Sequence, residues 1–167
     1  MREALKRLAA EGVVEHDLHR GFFIANLSPE DAGQLFRLRQ LLEHEVLSSS
    51  RWPVKDELAA LAFEVGRLDE HLRSGRRADW SACQREFLRK VFELSPHRIL
   101  VREALRLRAL TDRYRPWAPA NACGAEAERA ILKALAARDR PRLRKLFAAE
   151  CRRSERELIG NLSARGL

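Results

Sequence analysis

The chain has 167 residues, 46% hydrophobic and 34% charged, enough to bury a core without disulfides or metals to hold it together. Thirty-two Lys and Arg against 24 Asp and Glu leave a formal charge of +8 and a pI near 10.2, a field that attracts polyanions, nucleic acid first among them. No apolar run reaches the length of a signal core or a membrane span, and the three cysteines, Cys83, Cys123 and Cys151, have no paired spacing, so a cytoplasmic protein without a disulfide framework is expected.

Residues 2 to 11 place Leu5 and Leu8 one helical step apart, with Arg2, Lys6 and Arg7 largely off that stripe, which predicts a short helix stopped by Gly12. Val13 and Val14, then Phe22, Phe23 and Ile24, flank a polar tip from His16 to Gly21 and predict two strands joined by a turn. A helix and a hairpin of this size cannot make a core alone. At Ser28 the texture changes: a Ser N-cap, Pro29 in the first turn and Asp31 at the capping-box position open a long helix. Leu35, Leu38, Leu41, Leu42 and Val46 carry it to about Arg51, before Pro53.

Val54 to Arg73 repeats the pattern through Leu58, Leu61, Val65, Leu68 and Leu72 until Ser74 and Gly75 end it. Asp79 to Leu94 makes a third helix through Cys83, Phe87 and Val91, and Ser95 and Pro96 open a fourth running to about Tyr114. Residues 116 to 124, with two prolines and a closing glycine, form the one substantial loop of this half. Glu126 to Arg138 and Pro141 to about Leu162 complete six helices, so the expected architecture is mainly α: an antiparallel six-helix bundle preceded by one helix and a β-hairpin. The predicted division is 1–27 and 28–167.

REALKRLAAEGVVE followed by HRGFFIANLSPED resembles the end of the winged helix-turn-helix in GntR-family repressors of the FadR subfamily. LFRLRQLLEHEVL is similar to the first helix of that subfamily's FCD sensor domain, with Arg39 four residues before Glu43, and ERAILKALAARDRPRLRKLF is similar to a later segment of it. The resemblance implies a homodimeric, ligand-responsive repressor, not an enzyme, whose partners are operator DNA and a small metabolite. It makes residues 2 to 8 the recognition helix, with Arg2 and Lys6 facing the major groove, and puts His19, Arg20 and Gly21 at a wing tip near the minor groove. A helix fits the major groove, Arg can grip guanine through two acceptors, and amines at its side position phosphates without reading sequence.

The family's reader is longer at its amino end, and Met1 stands where these proteins usually have Val, so a misassigned start is expected; a chain truly beginning there would grip DNA feebly, because a lone ten-residue helix is marginal in water. The alternative is a DNA-incompetent bundle that binds ligand or a dimer partner and acts by protein contact.

Many FCD domains hold a divalent metal with an Asp and three His. Carried onto this chain, those positions fall on Gln84, Leu88, Glu128 and Glu150, so all four ligands are changed and no metal or other cofactor is expected. The implied site is a remodelled pocket of Gln84, Leu88, Glu128 and Glu150 for a different ligand, cationic or hydroxylated, with Arg39 as the family's carboxylate anchor; the plain alternatives are that Glu128 and Glu150 pair with Arg residues or reach solvent and that Arg39 forms an ordinary ion pair with Glu43. His16 and His19 fall on the wing, His44 and His71 in charged surface runs and His97 in a helix's first turn, all expected in structural or solvated roles. Cys83 and Cys151 lie on core stripes, Cys123 is the expected exposed thiol, and no nucleophile motif or phosphate-binding glycine loop occurs.

Overall fold

A computed structural model describes Glu3 and residues 14–17, 21–24, 28–113 and 125–164. The predicted recognition helix with Arg2 and Lys6, the wing residues His19 and Arg20, the loop at 116–124 and Cys123 lie outside the described residues. Two strands, β1 (Val14–Asp17) and β2 (Gly21–Ile24), pair antiparallel in the register Val14 to Ile24 and Asp17 to Gly21. His16 and Gly21, read from sequence as part of the tip, are therefore ladder residues.

The helices are α1 (Pro29–Ser49), α2 (Lys55–Arg73), α3 (Arg77–Phe92), α4 (Arg98–Arg113), α5 (Glu126–Ala136) and α6 (Arg140–Ala164). The cap of α1 is as read: Ser28 Oγ accepts the Asp31 N–H at 3.0 Å, with Pro29 opening the first turn. Gly75, at φ 69°, closes α2 with its N–H on the Leu72 carbonyl, while the Arg76 N–H reaches the His71 carbonyl. Between α5 and α6 the left-handed residue is Arg138 rather than a glycine, and Asp139 caps α6 by accepting the Arg142 N–H at 2.9 Å.

Helix α1 runs antiparallel to both α4 and α6. Arg39 meets Thr111 and Ser49 meets Ser95 on one side, while Phe36 meets Cys151 on the other. Arg140 of α6 donates to the carbonyls of Leu47, Ser48 and Ser50, satisfying the end of α1, and its guanidinium stacks 4.5 Å over the Trp52 ring. The larger apolar cluster joins α1 through α6, from Val46 and Leu61 to Phe87, Ile131 and Phe147; a smaller one gathers Ala32, Phe36, Cys151, Leu158 and Leu162. Several readings of the stripes change, that of Leu72 among them, which is 38% exposed. Leu38 and Leu41 are 46% and 63% exposed, because α1 turns Phe36, Arg39, Glu43 and Val46 inward instead, and His71, read as surface, is buried. Among the described residues no helix is long and apolar enough to cross a membrane.

Candidate effector site

Along α1 and α6 the two apolar clusters are separated by a polar layer. Arg39, with no exposed surface, donates through Nε to Glu43 Oε1 at 2.7 Å, through Nη2 to Glu150 Oε2 at 2.7 Å and through Nη1 to Thr111 Oγ1 at 3.1 Å. Arg108 of α4 reaches the same two carboxylates, Glu43 at 2.6 Å and Glu150 at 3.2 Å, and Ser154 donates to the other Glu150 oxygen at 3.0 Å. The guanidinium faces rest on aromatic rings, Arg39 on Phe36 at 5.5 Å and Arg108 on Phe92 and Phe147, each at 5.9 Å. Burial works against the Arg108 charge, yet the carboxylates of Glu43, Glu150 and Asp112 overcome it and hold its pKa above the usual range.

A second polar group lies toward the α2–α3 turn. Gln84 of α3 donates its amide N–H to Glu128 Oε1 at 2.7 Å, and Glu128, in the first turn of α5, is buried. Its other oxygen has no hydrogen-bond partner. Arg129, the next residue, clasps Asp69 of α2 at 2.6 Å. His71, two residues beyond Asp69, is buried with neither ring nitrogen partnered, and Trp80, one turn before Gln84, is buried with its indole N–H unpartnered. Each such orphan costs about 1–3 kcal/mol relative to a satisfied group.

Cys83 and Cys151 are both buried, as their stripes predict. Burial pushes each thiol up to about 11; for Cys83 the hydrogen bond to Glu64 adds to it. Glu64 is itself buried, which raises its pKa, but Lys90 at 2.7 Å and Arg67 more than offset that and leave it lowered. Three carboxylates, Glu43, Glu64 and Glu128, are thus fully buried among the described residues. Arg39 and Arg108 neutralise the first and Lys90 and Arg67 the second, while Glu128 has no cation within ion-pair distance.

The five residues assigned to the pocket from sequence therefore divide. Arg39 and Glu150 meet in the polar layer, Gln84 and Glu128 meet 2.7 Å apart in the second group, and Leu88 is a buried member of the main apolar cluster. No hydrogen bond or ion pair among the described residues joins the two groups. Arg108, Thr111 and Ser154 escaped the sequence reading, as did the burial of His71. The signal was there in the spacing: Arg108 and Thr111 follow Ala104 and Leu107 on the inward stripe of α4, and His71 follows Leu68 on that of α2. Of the wing and recognition positions, Gly21 alone falls on a described element, at the head of β2.

In its fold the chain is similar to solved structures of GntR-family transcription regulators. The chain is similar to E. coli McbR/YncC, with a TM-score of 0.76 and 19% identity over 99% of this chain and 84% of that one. It is also similar to a GntR transcriptional regulator from Rhodococcus sp. RHA1 (TM-score 0.74, 19% identity, 95% and 78% of the two chains). A GntR family member from Pseudomonas syringae pv. tomato str. DC3000 matches with a TM-score of 0.61 and 22% identity over 99% and 70%. No family model and no curated protein matches the sequence, so the likeness lies in the fold.

Proposed function

We propose that the chain is a cytoplasmic, ligand-responsive transcription regulator of the GntR family and FadR subfamily, a repressor that binds operator DNA as a homodimer and senses a small metabolite in its FCD-type helical domain. The observation that carries this reading is the fold shared with McbR/YncC over 99% of the chain. The net charge of +8 and the motif succession from Arg2 to Asp31 add to it. In this reading Arg2 and Lys6 meet the major groove, and the β1–β2 ribbon, with His19, Arg20 and Gly21, is the wing. The bundle couples effector to DNA by changing how two readers are spaced on a palindrome. Of the residues the resemblance assigns to the effector, Gln84 and Glu128 form one candidate polar group and Arg39 and Glu150 another, with Leu88 in the apolar core, and the effector is held without a metal. Leu38 and Leu41, exposed on α1, offer apolar area for a second copy to cover.

Selection from random duplexes followed by gel shifts across a salt series tests the reading. A recovered palindromic site, bound more tightly than scrambled duplex, with affinity lost in Lys6→Ala and Arg20→Ala, is the expected result. Binding that ignores sequence and both substitutions would remove DNA reading and leave a bundle that acts by protein contact.

A further inference from the structure

We propose that the α2–α3–α5 end of the bundle binds an organic cation, a primary ammonium or a guanidinium, with Glu128 as its counter-ion. The inference rests on the effector-sensing reading and names the class of effector. Among the described residues Glu128 is the buried carboxylate with no cation in ion-pair distance, and its Oε2 accepts no hydrogen bond from them. Its place in the first turn of α5 lets the helix dipole favour the negative charge there. A buried, half-satisfied carboxylate is the environment in which an ammonium or guanidinium gains most, because a charge-assisted hydrogen bond replaces an orphan.

The neighbouring groups have the same unfinished character. His71 offers ring nitrogens with no partner, and Trp80 offers an indole N–H with none, both more than nine-tenths buried at this end of the bundle. Gln84, by contrast, is half-buried and supplies the one hydrogen bond that Glu128 receives. Its amide is therefore the movable piece: swung toward solvent, it yields Glu128 Oε1 to an incoming N–H donor. Two rival ligand classes fit less well. A carboxylate would meet an uncompensated negative charge here, and the buried guanidiniums that could receive it, Arg39 and Arg108, already hold Glu43 and Glu150. A divalent metal needs more donors than one carboxylate and one imidazole, and no three His, Cys, Asp or Glu side chains are grouped for it among the described residues.

The test follows the Trp80 indole 1H–15N resonance in the full chain during titration with methylguanidinium, n-butylammonium and putrescine, against butyrate and succinate. The expected result is a saturable shift with at least one cation and none with either anion. In Glu128→Gln that shift disappears, while the ligand-free variant melts about 2–4 °C higher, because an unpaired buried charge has become a neutral amide. A Glu128 that served only to hold Gln84 would instead melt lower on substitution, and that outcome overturns the proposal. So does a shift that survives Glu128→Gln, or silence with all three cations. Saturable binding of butyrate or succinate overturns the ligand class and leaves the regulator reading standing. Cation binding in a chain that selects no DNA leaves the class standing and removes the regulator.

Discussion

The polar layer and the Glu128 end are built from the same kinds of side chain and both leave buried polar atoms without a partner, Glu43 Oε2 and Arg108 Nε in the one and Glu128 Oε2 in the other, yet only in the layer do the buried carboxylates face cations. Arg39 and Arg108 face Glu43 and Glu150, so each carboxylate is opposed by positive charge, and each guanidinium bridges both carboxylates across α1, α4 and α6. At the other end Glu128 has an amide for its neighbour and no opposing charge. A charge-paired network holds helices in register and resists an incoming ion, since any newcomer must displace a partner already bound. A carboxylate without an opposing charge does the reverse. On the cation proposal, Arg39, which the family resemblance made the anchor, serves the charge-paired layer, and the ligand meets Glu128 instead.

The largest effect should come from unbalancing the layer. Arg108→Met takes from Glu43 and Glu150 a guanidinium that bridges them, and removing one partner of a buried pair costs about 3–5 kcal/mol. At about 2–4 °C per kcal/mol for a chain of this size, thermal unfolding monitored by circular dichroism should fall by at least ~6 °C. Adding Glu43→Gln should recover part of that loss, because the surplus negative charge goes with it. If Arg108→Met melts no lower than Glu128→Gln, the two regions are not different in kind and the contrast fails.

The fold was largely legible because its signals are local. The Ser28 cap, the Gly75 stop and the three- and four-residue spacing of Leu61, Val65 and Leu68 all act within a few turns, and helix ends moved by only a few residues. The site was half legible. Gln84 and Glu128 came from motif register and do meet, but sequence cannot show that Glu150 turns to Arg39 and Arg108 instead, since that depends on how α1, α4 and α6 pack. Arg108 and His71 were missed because polar residues on an apolar stripe are more often solvated at its edge, and the central stripe position was given less weight than the residue type.

The two buried thiols sample the two regions and give the next test. Cys151 lies against the polar layer, and Cys83 precedes Gln84. Both thiols have folded pKa values raised to about 11 from an ordinary 9.0. A raised pKa means that the folded state holds the proton more tightly, so this stability is fully present below pH 9 and fades as pH climbs toward 11. Urea midpoints should accordingly fall between pH 9 and 11, and the fall should shrink in Cys83→Ala/Cys151→Ala. An unchanged alkaline limb in that variant would mean that the thiols do not carry it.

The smallest expected effect is also the most local. Arg129 and Asp69 form a half-exposed pair joining α5 to α2 beside Glu128, so Arg129→Ala should cost about 1 kcal/mol at most. Its consequence should appear in opening rather than in global stability. With that clasp gone, the first turn of α5 separates from α2 more often, and modification of Cys83 by a thiol reagent at pH 8 should quicken several-fold, while Cys151, held behind the charge-paired layer, keeps its rate. Mass spectrometry of the labelled peptides reads the two rates in one sample. Equal acceleration of both thiols would mean that the bundle opens as a single unit, and the Glu128 end would then have no independent motion with which to admit a ligand.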